Sequence, residues 1–474
     1  MKDNTLLATE KCAILFVTTL FVLVTLCIFN MIYEVQKIPF VDEVFHIPQA
    51  EKFCRGQFNE WDRKITTLPG LYLLSVGVLM PLSTLLRWEL CGIYALRLTN
   101  VFACFANFYI IYNIRRRLRP EREGLEERLQ DLLSAVNLAS FPVLYFFTFL
   151  YYTDMTATSL ILLSYLLQLD GRTLSASLTA SVAVFVRQTN IVWVAFIALL
   201  SVSHVLKSHV LQHNGRLSPK VSQSVKYLQV LLDTLLRTWR CGFAARAQLA
   251  DNILYNCGGF VLVGVSFLGF LLWNGGLVVG DRSAHQMVLN IPQLFYFSLF
   301  LVIFSSPFMV LYIKEFLINL LKHWKLVLML LIGCAIIVYS NTHVHTYLVS
   351  DNRHYTFYIW KRLFERYYLV KYMLIPVYIF GAFSTFKLLK ETDIAFQIGY
   401  IAFVALCLVP QKLLEFRYFI VPFLMFRLHV NSRSWWQLVL EFTLFSLVNA
   451  VTVYIFITRT FYWLDSKDVQ RFLW

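Results

Sequence analysis

Two adjacent carboxylates and a histidine follow the first long apolar stretch of the sequence. That stretch covers residues 12–33, and Asp42, Glu43 and His46 lie in the polar segment after it. On a helical turn Glu43 and His46 would share one face while Asp42 points elsewhere. A carboxylate at this position can act as a general base. Acidic residues are also typical of a helix N-terminus, where the helix dipole favours them, so both interpretations stay open.

Several cations lie far along the chain from these carboxylates. Arg353 and His354 follow Asp351 in the polar segment 342–369, and Arg417 lies in a shorter polar segment near residues 411–417. Guanidinium and imidazolium groups form short, charge-assisted hydrogen bonds with phosphate oxygens. Arg353, His354 and Arg417 therefore predict a phosphate-binding site.

Other polar groups have less specific patterns. Asp281 and Arg282 lie in segment 274–292 between glycines and His285, and an adjacent Asp–Arg pair is often only a structural ion pair. Arg187, with Gln188 beside it, lies at the end of an apolar stretch. Because a central Arg costs roughly 2.5–3.5 kcal/mol on membrane insertion scales, we expect Arg187 to bind a phosphate or to pair with a carboxylate such as Asp154.

The sequence predicts no metal site. His343 and His345 are two residues apart with no third ligand nearby, whereas zinc sites need three or four ligands. We therefore expect chemistry based on side chains, without a cofactor.

The composition indicates what kind of protein must position these groups. The 474 residues include 42 Lys+Arg and 28 Asp+Glu, a net charge of +14, and they are 58% hydrophobic and 15% charged. A soluble domain has about 45–50% apolar and about 25% charged residues. These values exclude a soluble enzyme, a disordered protein and a basic nucleic-acid binder. They predict an all-α polytopic membrane protein whose basic loops face an anionic leaflet.

Hydropathy predicts about eleven to thirteen spans. The candidates are 12–33, 91–113, 133–151, 155–169, 174–187, 189–206, 254–273, 293–313, 325–341, 370–387, 393–410, 415–428 and 437–458. We interpret the chain as a single domain, 1–474.

Basic clusters orient these spans. The clusters at 115–119, 207–246, 314–325, 387–390 and 427–433 should be cytoplasmic. This requires that segment 68–86, which contains Pro81, lies at the interface; one extra crossing is the alternative. The first lumenal loop is then 34–90, with polar part 34–67. Loops 274–292 and 342–369 are also lumenal, and loop 207–252 is a basic, solvated cytoplasmic connector.

The cysteines predict no disulfide framework. Cys54 is the one cysteine that falls in an expected lumenal loop, whereas Cys91 and others lie inside or at the ends of apolar segments. Cysteine acts there as a small hydrophobic residue.

Several of these motifs together resemble a known family. The sequence is similar to the dolichyl-phosphate-glucose-dependent α-1,2-glucosyltransferases of the endoplasmic reticulum, nearly from end to end. The similar stretches are 42–50 (DEVFHIPQA), 61–62 (WD), 65–72 (ITTLPGLY), 152–155 (YTDM), 187–190 (RQTN), 279–283 (VGDRS), 351–358 (DNRHYTFY), 410–418 (PQKLLEFRY) and 470–474 (QRFLW).

The resemblance implies a GT-C glycosyltransferase of the endoplasmic reticulum membrane with lumenal interfacial helices and a lumenal active site. The donor would be dolichyl phosphate glucose. The acceptor would be the lipid-linked oligosaccharide, in its diglucosylated Man9GlcNAc2-diphosphodolichol form. Membrane lipids, and no nucleic acid, are the other expected partners. The α-1,2 product means that the anomeric centre inverts.

An inverting reaction of this kind needs one base and cations for the departing phosphate. We expect Asp42 to be the base, with Glu43 as the next candidate, and Arg353, His354 and Arg417 to bind the phosphate. The remaining candidates would orient sugar or loops: His46, Asp154, Arg187, Gln188, Asp281, Arg282 and Asp351.

Two other function classes stay open at this point. A transporter would line a path with intramembrane Arg and Asp, but the sequence has no visible internal repeat of the kind many transporters show. A non-enzymatic, channel-regulating membrane protein would use the same loops only to bind partners.

Overall fold

The structure, a computed structural model, describes residues 2–121, 124–215, 218–282, 287–432, 434–464 and 468–474. His285, which the sequence analysis mentions beside Asp281, lies outside the described residues. The described chain is almost entirely helical.

The first four helices supply the outermost part of the candidate site. A long apolar helix is followed by two shorter helices and a second long one: α1 (Lys2–Val35), α2 (Glu43–Cys54), α3 (Gly70–Leu86) and α4 (Ile93–Leu118). At Gly70, the first residue of α3, the backbone approaches another helix so closely that the position requires glycine. A Cβ at Gly70 would lie 2.5 Å from the backbone of Phe185.

The middle of the chain is a series of packed helices. They are α5 (Leu125–Ala139), α6 (Pro142–Phe147), α7 (Thr153–Leu169), α8 (Thr173–Val186), α9 (Ile191–Asn214), α10 (Pro219–Ser222), α11 (Lys226–Arg240) and α12 (Phe243–Asn274), with a 3-10 turn at Gln188–Asn190 before α9. Segment 207–252, expected as a solvated connector, is thus mostly helical.

The last part of the chain is more broken. It contains α13 (Pro292–Phe304), α14 (Ser306–Met309), α15 (Ile313–Lys322), α16 (Trp324–Asn341), α17 (Thr346–Ser350), α18 (Tyr355–Ile359), α19 (Val370–Met373), α20 (Ile375–Leu389), α21 (Ile394–Leu408), α22 (Ile420–His429) and α23 (Trp435–Thr458). There are 3-10 turns at Val310–Tyr312 and Phe416–Phe419 and a π-helical stretch at Trp360–Glu365. Strands β1 (Thr460–Tyr462) and β2 (Val469–Arg471) form an antiparallel pair in which Thr460 faces Arg471.

The all-α polytopic architecture is confirmed, but fewer helices reach spanning length than expected. Seven of the described helical segments are long and apolar enough to cross a membrane, and the α13–α15 region, bent by 83°, would be an eighth. Most of the other expected spans correspond to shorter helices, among them α6, α7, α8, α21 and α22. The expected count of eleven to thirteen spans therefore exceeds the number of described helices that are long enough to cross a membrane. Hydropathy does not detect the breaks between short helices that are surrounded by protein.

Two of the basic clusters each contain a buried arginine. Arg115 and Arg427 are fully buried. Arg115 pairs with Asp131 at 2.9 Å and Arg427 with Glu441 at 2.7 Å. Buried ions persist when paired in this way, and these pairs join α4 to α5 and α22 to α23.

The expected lumenal loops contact one another at one end of the helices. The backbone N–H of Asp281 donates to the carbonyl of Arg63 at 2.8 Å, which joins loop 274–292 to the first loop. The N–H of Asn290 donates to the carbonyl of Val409 at 2.9 Å. We call this end, which carries loops 34–67, 274–292, 342–369 and 411–417, the loop end.

The expectation that no disulfide forms was wrong. Cys54, at the end of α2, is bonded to Cys91, just before α4. Residues 87–92 belong to the connection before α4 and not to the span itself. The bond therefore closes the segment that contains α3.

We expect Cys91→Ser to lower the unfolding temperature of the detergent-solubilised protein. A cross-link between residues 37 positions apart stabilises a fold by about 2–4 kcal/mol, chiefly by restricting the unfolded chain. Thermal unfolding of the two forms measures this effect, with Cys12→Ser, at an exposed free cysteine, as the control. An unchanged unfolding temperature, or free Cys54 in non-reduced peptide maps, would contradict the assignment.

Candidate active site

Four charged side chains from distant parts of the chain meet at the loop end. Asp42 lies between α1 and α2, Asp154 in the first turn of α7, Arg187 at the end of α8 and Arg417 in the turn before α22. Arg417 Nη1 lies 3.1 Å from Asp42 Oδ2 and 3.6 Å from Asp154 Oδ2. Arg187 pairs with the other oxygen of Asp154. We call these four residues the charge network.

Asp42 is the accessible carboxylate of this network. Its side chain is 39% exposed, whereas that of Asp154 is 1% exposed. Burial within the recess would raise the pKa of Asp42, but the charge of Arg417 outweighs burial and lowers the pKa below its ordinary value. Asp42 is therefore an ionised carboxylate that solvent or a substrate hydroxyl can reach.

The backbone just before Asp42 is strained. Val41 has a φ of +54°, the left-handed region that β-branched residues avoid. Such conformations cost about 1–3 kcal/mol and persist where surrounding contacts hold them. Here the N–H of Phe40 donates to Glu43 Oε2 at 3.0 Å, and the N–H of Asp42 donates to the Tyr152 hydroxyl at 3.1 Å.

Glu43 has a different environment from its neighbour. It is fully buried, and Arg97, also fully buried, binds it with Nε at 2.8 Å and Nη2 at 2.6 Å. The backbone N–H groups of Tyr151, at 2.6 Å, and of Phe40 complete its partners. Arg97 also donates to the carbonyls of Gln36 and Ile38. Glu43 therefore holds the turn that presents Asp42.

Arg417 is held in place from several sides. Glu415 accepts from its Nε at 3.1 Å and lies 2.9 Å from Nη2. The guanidinium also lies over the rings of Phe147 and Tyr152, each at 5.4 Å. Burial would lower the pKa of Arg417, but Glu415, Asp42 and Asp154 outweigh burial and raise it. Arg417 is a permanent cation.

Loop 342–369 brings His354 towards Asp42 but directs Arg353 elsewhere. His354 is close enough for its charge, when it is protonated, to lower the pKa of Asp42. Its Nδ1 hydrogen-bonds with the main-chain oxygen of Trp474 at 2.8 Å. Arg353 is directed elsewhere: it pairs with Asp351 at 2.7 Å and lies 4.8 Å over the ring of Trp463.

His46 borders the recess without joining the ion pairs. Its Nδ1 lies 2.5 Å from the hydroxyl of Tyr72. Burial lowers the pKa of His46 more than the Asp42 charge raises it, so this imidazole is neutral near pH 7.

Gln188 and Asp281 are bonded to the first loop, whereas Arg282 is bonded within its own loop. Gln188 Nε2 donates to the carbonyl of Thr66 at 3.1 Å, and Asp281 is bonded to the first loop through its backbone. Arg282 donates to carbonyls of its own loop, including Val278 at 3.1 Å. Gly280 has a φ of +72°, and a Cβ there would lie 2.4 Å from the carbonyl of Arg63, so the contact between loops requires glycine.

Sequence reasoning did not identify Tyr152 or Glu415 as site residues. Both lie within two residues of a predicted site residue, and this closeness was the available signal. A cavity of about 30 Å³ adjoins the network, with Asp154, Arg187 and Arg417 in its lining. It has room for one or two water-sized groups.

Residues 36–428 match the family model described as DIE2/ALG10. This range contains the whole charge network. The chain belongs to the DIE2/ALG10 family.

Full-length relatives agree with this assignment and confirm the resemblance noted from the sequence. Three examples are each named Dol-P-Glc:Glc(2)Man(9)GlcNAc(2)-PP-Dol alpha-1,2-glucosyltransferase. A human protein is 38% identical over 463 residues (95% of this chain, 96% of the relative). The Arabidopsis thaliana protein is 33% identical over 521 residues (98% and 100%), and the Candida albicans protein is 30% identical over 461 residues (94% and 95%). No solved structure matches the chain.

Proposed function

We propose that this protein transfers glucose from dolichyl phosphate glucose to diglucosylated Man9GlcNAc2-diphosphodolichol in an α-1,2 linkage. Membership of the DIE2/ALG10 family supports the activity. The observation that carries the mechanism is the accessible Asp42 carboxylate 3.1 Å from Arg417. A base beside a fixed cation suits a displacement in which a hydroxyl attacks and a phosphate departs.

The proposed reaction is a single displacement. The acceptor 2-hydroxyl oxygen forms a bond to the anomeric carbon while the bond from that carbon to the phosphate oxygen breaks. The hydroxyl proton passes to Asp42, and dolichyl phosphate leaves with the bonding electron pair. Arg417 and His354 stabilise the charge that develops on the phosphate.

Arg417 would also couple donor binding to the activation of Asp42. Before binding, Arg417 lowers the basicity of the carboxylate through their ion pair. A donor phosphate would share that guanidinium and so weaken its hold on Asp42. The base would then become stronger once a donor is present.

The other charged residues would act through these groups. Glu43 and Arg97 hold the turn before Asp42, Asp154 and Arg187 hold the far side of Arg417, and Asp351 with Arg353 orders the loop that carries His354. His46, Gln188, Asp281 and Arg282 would orient the recess and its loops. No described contact directs Arg353 at Asp42, so its expected phosphate role is the weakest of the three.

We propose that the loop end faces the lumen of the endoplasmic reticulum. The support is topological: four of the expected cytoplasmic basic clusters lie at the ends of α4, α9, α20 and α22 that point away from the loop end. Lys and Arg near span ends favour the cytoplasmic side.

The activity is tested by reconstitution. Purified protein in liposomes receives dolichyl phosphate glucose and the diglucosylated lipid acceptor, and mass spectrometry detects the addition of one hexose. Linkage analysis and anomer-specific glucosidase digestion then establish the α-1,2 product. No transfer in any lipid composition would contradict the proposal and favour a transporter or a channel-regulating protein.

The rate of glucose transfer should fall only at low pH. Because the pKa of Asp42 lies below its ordinary value of about 3.9, the carboxylate stays in its basic form until the pH falls through that lowered pKa. We expect kcat/KM to show no acid limb above about pH 5.5, and the acid limb of kcat to lie at higher pH than that of kcat/KM. An acid limb in kcat/KM near pH 6.5 would contradict Asp42 as the base.

Activity should survive removal of divalent cations. Fixed cations beside Asp42 can neutralise the departing phosphate, so we expect rates in excess EDTA within about twofold of the untreated rate. Rates are compared with EDTA alone, with added Mg²⁺ and with added Mn²⁺. A large loss that either ion restores would show that a metal takes part.

A further inference from the structure

Helix α11 presents a row of apolar side chains that the described part of the chain does not cover. Val225, at its N-cap, and four residues of the helix are 40–67% exposed: Leu228, Leu232, Leu236 and Trp239. They are spaced by three or four residues, so they lie on one face.

A second face of α11 packs against the protein. Tyr227, Thr234 and Thr238 are buried. The Thr238 hydroxyl lies 2.7 Å from His209 Nε2 on α9, and Tyr227 packs in one cluster with Val210 of α9 and Ile394 of α21. These contacts leave the apolar row turned away from the protein.

A third face is polar and basic. At 100° per residue, Lys226, Arg237 and Arg240 lie together with Asp233 between the apolar row and the buried face. Residues 219–246 contain five Lys or Arg and one Asp, a net charge of 5 − 1 = +4. This surface is complementary to anionic groups.

Neighbouring helices indicate the level of α11 in the bilayer. Ile394, which packs with Tyr227, is the first residue of the apolar helix α21. Beside it Lys207 of α9 pairs with Asp393 at 2.8 Å, so charged groups lie where the apolar helix α21 begins. Helix α12 begins at Phe243, directly after Gly242, which has a φ of +101°, and it continues into the apolar stretch 254–273.

We propose that α11 lies in the headgroup layer and binds an anionic phospholipid surface. Its apolar row contacts acyl chains, and Lys226, Arg237 and Arg240 contact headgroup phosphates and carboxylates. A helix with one apolar and one basic face binds interfaces in this way, and the basic residues favour anionic lipid. This inference does not depend on the proposed activity.

The test uses the full chain in proteoliposomes. A photoreactive amino acid is placed at Leu232 on the apolar row or, as the matched control, at Gln229 on the polar face. The vesicles contain phosphatidylcholine alone or with roughly one third phosphatidylserine, and mass spectrometry counts the lipid adducts. We expect roughly fivefold more adducts at Leu232 than at Gln229, with phosphatidylserine enriched roughly twofold or more over its bulk share.

A second set of variants tests whether the basic residues of α11 cause the phosphatidylserine enrichment. Lys226→Gln, Arg237→Gln and Arg240→Gln together should return the phosphatidylserine share to the bulk value, as should high salt. The control combines Arg55→Gln, Lys64→Gln and Lys361→Gln, exposed basic residues outside α11, and should keep the enrichment. Equal yields at Leu232 and Gln229, a bulk phosphatidylserine share in the unchanged protein, or mainly protein cross-links at Leu232 would overturn the proposal.

Discussion

Replacement of Asp42 by Asn is expected to lower the rate of glucose transfer by about 10²–10⁴-fold, the usual contribution of a general base. The amide keeps the size of the side chain but cannot accept the acceptor proton. Arg417 retains Glu415 and Asp154 as partners, so the folded structure should persist. The unfolding temperature should therefore stay near that of the unchanged protein, and the loss should be in kcat.

The matched control for Asp42→Asn is Glu60→Gln in the same loop. Glu60 is 52% exposed and pairs with Lys52, and exposed pairs of this kind contribute about 0–1 kcal/mol. It should transfer glucose at nearly the original rate. If Asp42→Asn retains more than about a tenth of the rate, another group is the base.

Replacement of Glu43 by Gln is expected chiefly to lower the free energy of unfolding. The change leaves Arg97 buried without its carboxylate, and breaking one side of a buried pair costs about 3–5 kcal/mol. Arg97→Gln should cost a similar amount. We expect the double variant to be less destabilised than the two single effects added together, because it leaves no unpaired buried charge.

Chemical or thermal unfolding of the four proteins of this cycle measures the coupling between Glu43 and Arg97. Transfer rates per folded molecule are measured on the same samples. A Glu43→Gln protein that unfolds like the original but transfers no glucose would contradict the structural role and make Glu43 the base. Additive effects in the cycle would show that the pair is not coupled.

The choice between Asp42 and Glu43 shows a limit of sequence reasoning. The two acids are adjacent, so every local pattern treats them almost alike. Their environments differ because each binds a different arginine. Arg97, which binds Glu43, is 54 positions away in the sequence, and Arg417, which binds Asp42, is 375 positions away. The two candidates can be distinguished only after the chain has folded.

The three candidate phosphate-binding residues also could be distinguished only after folding. Arg353, His354 and Arg417 were chosen for their chemistry, which is a property of residue type. Folding directs Arg417 to Asp42 and brings His354 within electrostatic reach, but it turns Arg353 towards Asp351 and Trp463. Arg353 donates from Nε and Nη2 to Asp351, at 2.9 and 2.7 Å, and so points away from Asp42.

The membrane class, the helical architecture and the family could all be predicted from the printed sequence, because hydropathy and motif similarity are carried by residues close together in the chain. The Cys54–Cys91 bond, the burial of Arg115 and Arg427 and the exposed row of α11 could not. Each depends on which surfaces meet across long sequence separations, and burial, pairing and charge acquire their energies only from those contacts.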